Sequence, residues 1–164
     1  MMTTQGSANG AGQITAKDPV YNVVTEDDLV MLFELGNLAR EQGKLRQAEA
    51  IFRGILAVRG DVAGGYMGLS RVHMDQGRVE EALQLLQATA ALEGKHRDLG
   101  QAFLGSMLLI AGRAREAVRI LQPVVDSGRQ NDGVALARSL LENEAKDALD
   151  GEPSKGIGSR NMGR

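Results

Sequence analysis

Residues 32–52 read LFELGNLAREQGKLRQAEAIF, and residues 66–86 read YMGLSRVHMDQGRVEEALQLL. Laid over one another, the two stretches share a grammar. Each begins with an apolar pattern of helical period, breaks at a glycine, and resumes with a second helical pattern. The glycines are Gly43 and Gly77, 34 residues apart, and Gly112 follows after 35 more. Around that third glycine lies AFLGSMLLIAGRAREAVRIL, residues 102–121, with the same order of residue types. A leucine stands eight positions before each glycine (Leu35, Leu69, Leu104), and a small residue stands seven before (Gly36, Ser70, Gly105). An alanine stands five positions after it (Ala48, Ala82, Ala117), and a large apolar residue nine after (Phe52, Leu86, Leu121).

These offsets describe a helical hairpin. The small residue and the alanine let two helices approach closely. The large side chain fills the space beyond the contact, and the glycine supplies the left-handed conformation that ends the first helix. A single hairpin cannot bury its apolar face, so neighbouring hairpins must stack, and about three are needed for stability. The units are 29–62, 63–96 and 98–131, with Arg97 as one extra residue before the third. Working outward, helices are predicted at 26–42, 45–58, 62–76, 79–92, 98–111, 114–127 and 132–148, the last covering the open end of the stack. Gly60, Gly94 and Gly128 mark further helix ends. Thr25 followed by Asp28 reads as the N-terminal cap of the first helix. Residues 1–24 are read as a flexible segment, 25–149 as one domain and 150–164 as a disordered tail, because the two ends are small, polar and Gly-rich.

The period and the Leu-Gly…Ala…Phe pattern resemble the tetratricopeptide repeat (TPR) family over residues 29–131. The resemblance implies an all-α, right-handed solenoid of three hairpins plus a capping helix. It also implies a concave face lined by the first helix of each hairpin. Carried over by position, the peptide-binding groove would present Phe33, Asn37 and Arg40, then Met67, Arg71 and Met74, then Ala102, Ser106 and Leu109. Methionines adapt to varied apolar partners, and arginine pairs with carboxylates. Met31 and Met107 are assigned to packing. The lysine that some family members use to clamp a carboxylate terminus has Phe33 in its place, so that mode is not expected.

Three units with short flanks, the run YMGLSRVHMDQG and the GKHRD connection also resemble the TPR-class chaperones of type III secretion. That resemblance implies a cytoplasmic chaperone holding a secreted hydrophobic client, a translocator or needle subunit, in its groove. In that family an N-terminal helix often forms a homodimer. The corresponding stretch here, Ile14 to Val24, is short and broken by Pro19, which leaves a homodimer an open expectation. The alternative is a TPR scaffold or assembly factor that bridges folded proteins of an envelope, pilus or secretion complex.

Composition narrows the remaining classes. A net charge of −2 with the signs mixed speaks against nucleic acid as partner. With no cysteine there are no disulfides or thiolate metal sites, and no stretch is long and apolar enough for membrane insertion. His73 and His96 lack neighbours in metal-ligand spacing, and no phosphate-loop or nucleophile motif occurs. No catalytic residue, metal or cofactor is therefore expected, and the chain reads as a binding protein rather than an enzyme.

Overall fold

The computed structural model describes residues 23–146, and every regular element among them is helical. The order is α1 (Glu26–Glu41), α2 (Leu45–Val58), α3 (Ala63–Asp75), α4 (Val79–Gln87), α5 (Gly94–Ile110), α6 (Ala114–Asp126) and α7 (Asp132–Leu140). A 3-10 turn at Ala88–Ala91 prolongs α4, and a π turn at Leu141–Ala145 prolongs α7. The stretch Ile14 to Val24, apart from its last two residues, lies outside the described residues, as does the tail from residue 147.

Local chemistry starts and stops these helices as the sequence suggests, with two differences. Thr25 Oγ1 accepts from the Asp28 N–H at 3.2 Å while the Thr25 N–H donates to Asp28 Oδ2 at 2.9 Å, a reciprocal cap on α1. Gly43, Gly77 and Gly112 turn each hairpin with φ of 72°, 74° and 72°. Gly60 is not among the left-handed glycines; α2 ends instead on Arg59 at φ −135°. The GKHRD connection is no loop, because α5 begins at Gly94 and runs four residues earlier than predicted.

Asp98, 1% exposed, accepts from Arg129 Nε at 2.7 Å and from Asn131 Nδ2 at 2.8 Å. Asn131 in turn caps α7 by accepting from the Val134 N–H at 3.1 Å. The pairing ties the first turns of α5 to the α6–α7 connection. Gly133 then lets the two backbones meet: a Cβ there would lie 2.3 Å from the Leu99 amide nitrogen.

Within the hairpins the small residues sit under the large ones. A Cβ on Gly36 would come within 2.6 Å of the Phe52 ring, and one on Gly105 within 2.4 Å of Leu121. Ala48, Ala82 and Ala117 are wholly buried, as are Phe52, Leu86 and Leu121. Two apolar clusters result. The N-terminal one gathers Leu29, Phe52, Ile55, Leu69 and Val72; the C-terminal one gathers Leu83, Leu86, Phe103, Leu104, Leu121 and Val134.

Helix α1 packs on α3 and α3 on α5, forming one layer, while α2, α4 and α6 pair chiefly with the helices before and after them. Helix α7 rests on α5 and α6. The result is an all-α, TPR-like solenoid sealed at its C-terminal end. At the other end Leu35 is 50% exposed, whereas Leu69 and Leu104 at the same repeat position are 2% exposed. Met31, expected to pack inside, is instead 60% exposed and with Leu38 continues that uncovered stripe along α1, because no helix among the described residues precedes α1 to cover it.

Candidate functional site

The layer formed by α1, α3 and α5 carries two clefts. The first, about 320 Å³, opens beside the N-terminal half of α1 and is lined by Leu29, Val30, Phe33, Asn37, Val62 and His96, with Glu26 and Glu34 at its edge. Phe33 stands edge-on to Phe52, ring centroids 5.8 Å apart, so its position is fixed by the buried core. Asn37 Oδ1 is buried without a hydrogen-bond partner.

The second cleft, about 590 Å³, lies where the C-terminal halves of α1, α3 and α5 converge. Its apolar wall is Met74, Phe103, Met107 and Ile110; its polar groups are Arg40, Arg71, Asp75 and Ser106. The guanidinium of Arg71 lies 4.9 Å from the Phe103 ring centroid, a cation over an aromatic face. Arg40 Nη1 donates to Asp75 Oδ2 at 2.9 Å, linking α1 to the end of α3, and Arg40 Nε is buried without a partner. Burial, and then the neighbouring Arg40 charge, lower the Arg71 pKa from its usual range.

Placement of the nine expected groove residues is mixed. Arg40, Arg71, Met74 and Ser106 share the second cleft, and Phe33 and Asn37 share the first. Met67 and Leu109 are half-buried against the C-terminal cluster and line neither cleft. Ala102 is a correction: it is fully buried and cannot touch a visiting chain. Its helix keeps the register of the other units, but Ala102 lies in the C-terminal apolar cluster with Val134 and Ala137 of α7, the helix that packs on α5. Met107, assigned to packing, is 7% exposed and yet borders the second cleft.

Sequence reasoning passed over Val30 and Ile110, 57% and 65% exposed. Val30 lies one turn before Phe33 and two before Asn37, so the row i, i+3, i+7 already contained it. Ile110, next to the turn, extends the Met107 side of α5. His73 is buried with Nδ1 unpartnered and 3.9 Å from Glu81, beside the α3–α4 turn and away from both clefts. Among the described residues no cluster of His, Asp or Glu could hold a metal ion, and no helix is long and apolar enough to cross a membrane.

A stack of helical hairpins presenting an apolar, partly charged trough is the build of a protein–protein interaction module. Residues 33–95 match the family model for the tetratricopeptide repeat. Over 96 residues, 58% of this chain, the sequence is 33% identical to human Protein O-mannosyl-transferase TMTC1. The chain spans 11% of the length of that curated relative.

Proposed function

We propose that the two clefts on the α1–α3–α5 layer hold a segment of a client protein, and that the chain acts as a chaperone masking apolar surface until the client is used. The observation that carries this reading is the second cleft. Met74, Met107 and Ile110 give it an adaptable apolar wall, and it remains open because no helix of the described chain crosses it. Solvent-exposed apolar side chains such as Val30 and Ile110 raise the free energy of the unbound protein, and a client covering them recovers about 25 cal/mol per Å² of apolar surface removed from water. A trough that is partly polar releases its occupant more readily than a closed pocket does.

The finer assignment is a cytoplasmic chaperone of type III secretion that binds a secreted translocator or needle subunit. Its support is the resemblance of YMGLSRVHMDQG and of the three-unit length to that chaperone class. The test is co-purification from the native host with the tagged chain. A single apolar secreted protein, soluble only in the presence of the chain, is the expected result. Ile110→Glu and Val30→Glu should each abolish its capture with circular dichroism unchanged, since both side chains are surface-exposed. Capture of folded complex members, unaffected by either change, would instead identify a scaffold.

A further inference from the structure

The second cleft contains more hydrogen-bonding capacity than the protein uses. Arg71 is half-buried, and its guanidinium lies over the Phe103 ring with no hydrogen bond to an acceptor among the described residues. Arg40 spends one amino group on Asp75 and keeps Nε buried and unpartnered. Asp75 and Glu41 are the anions close enough to act on Arg71, and Asp75 is engaged by Arg40. Two guanidinium groups share the cleft with Asp75, and the buried Arg40 Nε is a donor left unsatisfied, so an anion entering beside them would gain a charge-assisted partner.

We propose that this end of the groove is a carboxylate subsite, receiving an internal Asp or Glu side chain of the bound peptide with apolar residues on both sides of it. The inference rests on the groove reading above and adds the chemistry of its occupant. The planar fork of Arg71, pre-oriented on Phe103, suits a two-point bond to a carboxylate. The flanking preference follows from position. Met74, Met107 and Ile110 border the arginines on one side. On the other, Asn37 lines the first cleft one helical turn before Arg40, about 4.5 Å along α1. A free chain terminus at the arginines would leave one of the two apolar clefts empty, whereas an internal acid lets the peptide fill both.

The experiment is selection of random internal dodecapeptides by the full-length chain, followed by synthesis of the selected peptide with its acid replaced by the matching amide. Enrichment of an acid between apolar residues is expected, with the amide peptide bound roughly tenfold more weakly at low salt. Arg71→Gln should erase that difference and Arg71→Lys should keep part of it. Ser106→Glu, which plants a carboxylate in the cleft, should erase it without loss of helicity. Selection of uncharged apolar peptides that Ile110→Glu rejects would overturn the carboxylate subsite and leave the groove standing. Equal binding of acid and amide peptides would overturn the subsite as well. No enrichment of any peptide would bring down subsite and groove together. An acid-to-amide difference that persists in Arg71→Gln would also refute the assignment.

Discussion

The first hairpin closes on Phe52, and its tolerance of change can be worked out from Gly36. A methyl group at Gly36 would sit 2.6 Å and 2.8 Å from two atoms of the Phe52 ring, about 1 Å inside ordinary contact, and the ring is fully buried with nowhere to retreat. Overpacking of this kind costs about 3 kcal/mol, against which alanine in mid-helix returns about 1 kcal/mol over glycine. Gly36→Ala should therefore lose about 2 kcal/mol. Phe52→Leu alone should lose about 1 to 2 kcal/mol through incomplete filling. The second hairpin shows how the pair should combine, since Ser70 and Leu86 occupy the same two positions there and are both wholly buried. The Phe52→Leu/Gly36→Ala double variant should be no less stable than Phe52→Leu, a coupling of about 2 kcal/mol. Urea unfolding followed by circular dichroism reads the global loss, and hydrogen exchange in α1 and α2 reads the local one. Losses that simply add, within about 0.5 kcal/mol, would show that the ring and the glycine are not in conflict and that the hairpin closes some other way.

Three further outcomes are expected. Gly133→Ala should be worse tolerated than Gly36→Ala, because its methyl would meet the Leu99 backbone rather than a side chain; a melting temperature within a degree or so of the parent would contradict the close approach of α5 and α7. Hydrogen bonding to Arg129 holds the Asp98 carboxyl below its ordinary 3.8, so its contribution is complete at neutral pH and lost as pH falls below about 4 through the folded value. Asp98→Asn should thus be less stable at pH 7, with the gap to the parent closing in acid melts. Burial lowers the pKa of His73 below 6.5, so the folded state favours the neutral ring; stability should fall as pH drops below about 6.5, and His73→Leu should flatten that part of the profile.

The hairpins were readable because close helix packing leaves a signature at fixed offsets: glycine under Phe52 and Leu121, a buried serine at the matching position of the second hairpin, and a positive-φ glycine at each turn. What escaped was the packing across the hairpin joints. Asp98, Arg129 and Asn131 are 31 and 33 residues apart and carry no local pattern, yet their pairing ties α5 to the α6–α7 connection, and α7, packed on α5, shares one apolar cluster with Ala102. The clefts were half-legible for the same reason. Phe33, Asn37, Arg40, Arg71, Met74 and Ser106 follow from helix faces, whereas the stacking of Arg71 on Phe103 joins two helices whose relative rotation no single segment specifies.

The contrast between Leu35 and its repeat mates gives the molecule a polarity. Helix α7 ends the array the way a keystone ends an arch, and a further hairpin could reach the apolar surface of α5 and α6 beneath it only by displacing it. At the α1 side Met31, Leu35 and Leu38 leave apolar surface uncovered among the described residues. A repeat engineered ahead of Thr25 would find that surface to pack on, which makes the α1 end the natural side on which to lengthen this array.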